Sequence, residues 1–483
     1  MSCVPVNRAV DGRNARRAAF LALLFSTYMF EYMVTLTFID QRNIAISGSS
    51  WQLALHYIDT LLSAAGFASF ALLRRIFKEE KTRVRLLVIP NMVYCVSMIA
   101  LCFMGSVAAY SVTAMLTAFS LGVLGGMVYF CMSQALAQTS CMGKVMAAGA
   151  SAAVLLQYLL QKHLDIVLGL PVVLVLGFSA TLWLTVKRPW DWLGEDCLPY
   201  AKESPASKSE LRQKQFILSL TVVALAVVGI FYDAQMLRLN VQTHYQEFDY
   251  YAWPRLFLIV GYVLIGIIGD VKQQKYVPIA TLCTAMFAVF NPILLGEMEG
   301  YQFNMCIHYA CLGASVSYFN LMFWNIAPKT GCPELWASMG RVISGPVEAA
   351  LSAMQVADLP LNAMVGIDIL MFVLLVLALA VGDYLQIGRR EEKERPDGRP
   401  VGPPELTQQQ RLALYAAHCS LTPRETEVLE KLLTTEDGVQ EIADSLYISR
   451  RMLQRYIASI YEKTGTGSRI GLFRRYTGFM TKE

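Results

Sequence analysis

Two groups of residues in this sequence could do chemistry, and they require opposite surroundings. The first is the stretch "ISRRMLQRY", Ile448 to Tyr456, which carries Arg450, Arg451, Gln454 and Arg455. On a helix turning about 100° per residue, Arg451, Gln454, Arg455 and Ala458 share one side, and Leu453, Ile457, Ile460 and Tyr461 share the other. An arginine fork pairs with guanine O6 and N7, a glutamine amide pairs with adenine N6 and N7, and further arginines neutralise phosphate. Double-stranded DNA is the partner that suits this face. The second group lies inside apolar runs: Glu31, His56, Asp59, Asp233, His308, Arg341, Glu348 and Asp368. Charges in hydrocarbon are costly, so they face a cavity or a partner. Arg341 and Glu348 are seven residues apart and fall on one helix face. Glu31, Asp59, Arg341 and Glu348, with Trp324, are therefore expected to line a pocket for an unknown small molecule. The competing reading pairs Arg341 with an acid of another span, which merely fixes the bundle. His308 reads as a satisfied interior histidine.

Other chemistry finds little support. Of the eleven cysteines, Cys95, Cys102, Cys131, Cys283, Cys306 and Cys311 lie inside apolar runs, with no Cys-x-x-Cys pair and no Cys/His cluster at zinc spacing anywhere. They read as small packing residues, and no metal site is expected. There is no phosphate-cradling glycine loop and no Ser/His/Asp pattern, so no cofactor and no catalytic residue is expected, and an enzyme is not indicated.

The elements that must hold the two groups differ as much as the groups do. The 483 residues are 55% hydrophobic and only 16% charged, a balance that calls for lipid as solvent over most of the chain. Apolar runs long enough to span a bilayer number six before a polar stretch at about 187–215 and six after it. The eleventh, about Leu335–Met354, is the weakest because it holds Arg341, Glu348 and two glycines. With an even number of spans both termini share a side, and that side collects the Arg and Lys of the N-terminus, of the loop Arg74 to Arg85 and of the central stretch. The positive-inside rule then puts both termini in the cytoplasm of a multi-pass protein. Six plus six spans around a basic loop resemble the major facilitator superfamily. The loop "GIIGDVKQQK" after the eighth span adds a loose motif match at Gly266, Asp270, Lys272 and Lys275. The resemblance implies two helical bundles around a central cavity.

After this membrane domain, residues 1–387, the segment 388–404 is charged and rich in Pro and Gly and reads as a flexible linker. Residues 405–483 have soluble composition. In "LTPRETEVLEKLL", Thr422 and Glu425 form a capping box around Pro423, and Val428, Leu429, Leu432 and Leu433 make one apolar face. "VQEIADSLYIS" gives a second helix with Ile442, Ala443 and Leu446 inward; Ser449 then caps a third helix that ends at Gly465. A fourth, about Ser468 to Tyr476, brings Arg469, Arg474 and Arg475. Acids collect on the first two helices and bases on the last two.

The four segments "LTPRETEVL", "EIADSLYIS", "SRRMLQRYIASIYEKTG" and "SRIGLF" closely resemble, in order, the LuxR-type DNA-binding domain. That resemblance implies a four-helix domain that grips DNA through its third helix, usually as a homodimer, with Arg450, Arg451, Gln454, Arg455 and Arg469 toward DNA. Met452, Gln454 and Tyr456 stand where the family commonly has Thr, Lys and His, so base preference does not carry over. Fold class is then all-α: a polytopic bundle plus a four-helix helix-turn-helix domain. The expected function is a membrane-bound, one-component transcription regulator in a bacterial inner membrane, with a secondary transporter carrying a regulatory tail as the alternative.

Overall fold

The computed structural model describes residues 8–480 except for 48, 78–79, 137–138, 140, 164–168, 188–204, 243–252, 272–273, 295–300, 355–358, 395–411, 413–414, 417, 420 and 436. It is all-helical among the described residues and forms two compact units, Met1–Leu385 and Gln386–Glu483.

The first unit contains α1 (Arg8–Ser47), α2 (Ser49–Ile76), α3 (Glu80–Phe103), α4 (Val107–Leu136), α5 (Met142–His163), α6 (Gly169–Lys187), α7 (Pro205–Gln242), α8 (Leu258–Gly269), α9 (Val277–Leu294), α10 (Tyr301–Ile326) and α11 (Met339–Ala353). Helix α12 (Leu361–Glu394) begins in this unit and runs past its boundary. The central polar stretch is partly helical: α7 starts at Pro205, while 188–204 lie outside the described residues. Helix α12 likewise runs into the segment read as a linker. "GRREEKE" consists largely of helix-favouring Arg, Glu and Lys, with opposite charges near i,i+4 spacing, so the helix continues until the run before Pro396. The eleventh apolar run is divided, with a short turn, Pro333–Trp336, set ahead of α11.

The packing of this unit repeats with a shift of six helices. Helix α2 lies on α4 as α8 lies on α10, α1 on α5 as α7 on α11, and α3 on α4 as α9 on α10. The two halves meet by the same rule, α5 on α8 and α11 on α2, with α4 against α10 at the centre. The α2–α4 crossing needs glycine: a Cβ at Gly122 would strike the Ser63 carbonyl, and one at Gly66 the Phe119 carbonyl. Helices α1, α2, α4, α5, α7 and α12 are long and apolar enough to cross a membrane. Shorter apolar stretches occur in α3, α6, α8 and α9. Helix α10 is more polar, with Asn304, His308, Asn320 and Asn325, but its described side chains are mostly buried by other helices, so it does not need a lipid-facing surface.

The second unit contains α13 (Pro423–Thr434), α14 (Val439–Ser445), α15 (Arg450–Thr464) and α16 (Arg469–Met480). Val428, Leu429, Leu432, Ile442, Ala443, Leu453, Ile460 and Leu472 close one apolar core. That is the helical spacing seen in the sequence, now satisfied from all four helices.

Candidate nucleic-acid interface and membrane cavity

The interface is built from the caps outward. Thr422 Oγ1 accepts from the Glu425 N–H, and the Glu425 carboxylate accepts from the Thr422 N–H at 2.7 Å, the reciprocal capping box. Glu425 does more than cap. It is buried, and it also accepts from Ser459 at 2.6 Å and from Lys463 at 2.7 Å, both on α15. Burial alone would raise its pKa; the Lys463, Ser459 and Thr422 bonds outweigh that and hold the carboxyl at about 2. This ties α13 to α15. Ser459, next to the outward Ala458, points at α13; the spacing of Ser459 and Lys463, one turn apart, was the available signal.

The α14–α15 turn is equally specific. Tyr447 takes a left-handed φ of 53° and is exposed, while the Ile448 N–H reaches back to the Ala443 carbonyl, a Schellman-like stop. Ser449 then caps α15 through the Met452 N–H. At the far end, Gly465 with φ of 63° ends the helix.

On α15, Leu453 and Ile460 are buried, Ile457 is half-buried, and Arg450, Arg451, Gln454, Arg455 and Ala458 are exposed. A rigid helix thus presents a row of guanidinium and amide donors outward. Arg469 behaves differently. Its guanidinium donates to the carbonyls of Leu432 (2.8 Å), Asp437 (2.9 Å) and Thr435. Those carbonyls belong to the end of α13 and the loop after it. Arg469 thus clamps that loop with three of its five N–H groups. Arg475 is exposed and lies beside the Gly465 carbonyl.

Residues 419–475 match the family described as bacterial regulatory proteins, luxR family. They form a LuxR-type DNA-binding domain. The match spans the capping box, the α14–α15 turn and the exposed donor row, so the LuxR-type domain contains all of this geometry. For the whole chain, a solved structure, the human organic anion transporter MFSD10 (TETRAN), is similar at 16% identity and a TM-score of 0.49, covering 75% of this chain and 99% of that one. No curated protein matches the chain.

Within the membrane unit, a cavity of about 630 Å³ lies among α1, α2, α7, α8, α9, α10 and α11. Arg341 and Glu348 both line it, as the shared helix face requires, together with Tyr32, Arg255, Asp233 and His308. The Arg341 guanidinium sits over the Tyr32 ring, 5.0 Å from its centroid. His308 is buried and paired with Asp233 at 2.7 Å, the satisfied interior histidine the sequence suggested. His56 turns to Asp40 at 2.9 Å and does not join Asp59.

The other pocket candidates lie elsewhere. Glu31 and Asp59 are buried away from the cavity lining, and their carboxyl oxygens meet no hydrogen-bond partner among the described residues. Trp324 is fully buried and edge-on to Phe25 and Tyr129, outside the cavity lining. Asp233, one of the span charges named from the sequence, supplies polar lining with Tyr32, whereas Tyr262 and Arg255 line the cavity without having been singled out. Tyrosines within apolar runs carry too little sequence signal to separate lining from core.

The cavity does not extend to the ends where the halves are locked together. There Arg74 pairs with Glu334 in a buried contact, and the Asp270 carboxylate accepts from the Gly143 N–H (2.7 Å) and Lys144 N–H (3.1 Å) at the start of α5. A carboxylate at a helix N-terminus meets unsatisfied N–H groups and the positive dipole end. The two locks are related by the six-helix shift. The Lys272 expected in the same loop lies outside the described residues.

Proposed function

We propose that this protein is a membrane-bound, one-component transcription regulator of a bacterial inner membrane. The observation that carries the reading is the exposed row Arg450, Arg451, Gln454 and Arg455 on a capped helix of a LuxR-type domain, in a chain whose other unit is a bundle of apolar helices. Residues 1–387 act as the membrane domain and 405–483 as the DNA reader, with both termini in the cytoplasm as the basic loops favour. The reader binds as a homodimer: from Glu405 to Glu483 eleven bases face ten acids, so a single copy neutralises few phosphates.

In this reading the membrane unit senses a small molecule. Arg341 and Glu348 are the primary ligand groups, because both line the cavity. Glu31, Asp59 and Trp324 act on the ligand indirectly, through packing. Binding that favours one arrangement of the halves shifts the population of that arrangement, and so the spacing of the tethered readers. The test is DNA footprinting with residues 386–483 fused to a dimerising segment, combined with transcript profiling of cells with and without the protein. A dimerised reader that protects no DNA sinks the proposal.

One observation favours a second reading, a secondary transporter with a regulatory tail: acids inside a membrane mark ion or proton pathways, and Glu31 and Asp59 are buried without a hydrogen-bond partner among the described residues. Saturable uptake that is lost in Asp59→Asn would favour transport.

A further inference from the structure

We infer that the membrane cavity takes an organic monocarboxylate, with its acid group seated at Arg341 and its apolar body lying toward Glu348. The inference rests on the reading that this unit binds a small molecule and adds the chemical class. Arg341 lies on the cavity wall with its guanidinium over the Tyr32 ring and within reach of the Tyr129 phenol, and no carboxylate among the described residues forms an ion pair with it. Arg74, which is buried in this unit, has Glu334, whereas Arg341 is half-buried at the cavity wall. A guanidinium held among phenol rings keeps its charge but lacks the bidentate acceptor that its planar fork is shaped for. A ligand carboxylate would supply that acceptor.

The rest of the cavity restricts the ligand further. Glu348 lies seven residues along α11, so about 10 Å from Arg341 along the helix axis. Asp233 adds a second carboxylate on α7, held by His308. Between these poles the wall is apolar, including Met33, Val228, Leu258 and Val316. A second acid at the Glu348 end would therefore meet carboxylates, and Arg255, the other lining arginine, is already bonded to Gln157, while an apolar chain or ring would find the surface it needs. The volume of about 630 Å³ lies within the range of sites for molecules of drug-like size.

The experiment uses the full-length protein in lipid nanodiscs and titrates octanoate, octanamide, octylamine and the dicarboxylate suberate, with naphthalene-2-acetate as an aromatic acid. Binding is read by intrinsic tryptophan fluorescence and by calorimetry. At least one of the two monoacids is expected to bind. Octanoate is expected to bind about tenfold or more tighter than octanamide, with octylamine and suberate weaker still. Arg341→Gln abolishes the octanoate preference over octanamide. Arg341→Lys, which keeps the charge and loses the fork, retains part of it, so a folding defect in one variant does not decide the result. Glu348→Gln narrows the gap between octanoate and suberate. Equal affinity for octanoate and octanamide overturns the inference. So does tighter binding of octylamine, or no saturable binding of either monoacid up to about 10 mM. A reporter gene driven from a footprinted site separates this from the regulator reading. Monoacids that bind without changing the reporter leave the site assignment standing and remove sensing; a reporter that answers only to cations does the reverse.

Discussion

Two buried glutamates, one in each unit, face the same cost and meet it differently. Glu425 is 4% exposed and accepts from Lys463, Ser459 and the Thr422 backbone. Glu31 is 0% exposed, and its oxygens have no hydrogen-bond partner among the described residues. The arginines divide in the opposite direction along the same line: Arg469 is spent on three carbonyls in the reader, whereas Arg341 in the bundle meets tyrosines. A buried polar group whose bonds are all made inside the chain is architecture. One left unmatched costs free energy that packing has to offset, and it is where a ligand, ion or proton has something to gain. In the reader the unspent donors are on the surface, along α15; in the bundle they are inside.

The largest effect tests that surface. Arg451→Ala together with Arg455→Ala should weaken DNA binding by about 1–3 kcal/mol for each arginine, and loss of a phosphate contact should also lower the salt dependence by about one unit. Mobility-shift titrations across a salt series check both, with circular dichroism confirming that the helices persist. Unchanged affinity would move the recognition face elsewhere. Next comes Glu425→Gln, which breaks the tie between α13 and α15 and should destabilise the reader by about 2–4 kcal/mol, toward the low end because Lys463 reaches water. The pH dependence follows from the same bonds. The folded carboxyl sits near 2, below its ordinary 4.5, so its stabilisation is fully present above pH 4.5 and is lost as pH falls from there toward 2. Thermal melts of residues 386–483 should show that decline, and Glu425→Gln should flatten it.

Smaller again is Arg469→Ala. It should lower stability by about 1–3 kcal/mol by releasing three carbonyls of the α13 end and its loop, some of which water can reach. The salt dependence of DNA binding should stay unchanged. A reduced slope would restore Arg469 to the interface and dissolve the contrast with Arg451 and Arg455.

The reader was more legible in sequence than the bundle because its signals are local. Thr422 to Glu425, Ser449 and Gly465 each act within one turn, and helical periodicity separates Leu453 from Arg455 without reference to any other helix. The positions of Ser459 and Arg469 escaped because their partners lie more than thirty residues away in sequence. In the bundle, the spans follow from hydropathy, but nearly every face is apolar, so periodicity does not say which face turns inward. Arg341 and Glu348 could be placed on one wall from the sequence because they share one helix face. Glu31 and Asp59 lie outside the lining of this cavity, a placement the sequence does not carry, because which way a charged residue points depends on how helices from both halves pack.

The smallest expected effect separates the two halves of the capping box. Thr422→Ala removes one acceptor for the Glu425 N–H, which then lies at the exposed start of α13 with water available, so the cost should be about 1 kcal/mol. The reciprocal bond, from the Thr422 N–H to the Glu425 carboxylate, does not need the threonine side chain and persists, as do the bonds from Ser459 and Lys463. Thr422→Ala should therefore lower the melting temperature of residues 386–483 only modestly and leave the acid decline of stability in place. If it instead cost as much as Glu425→Gln, or removed the acid dependence, the carboxylate would be held by its cap and not by α15. The contrast between a glutamate fully engaged across two helices and one left unmatched in the membrane would then lose its first member.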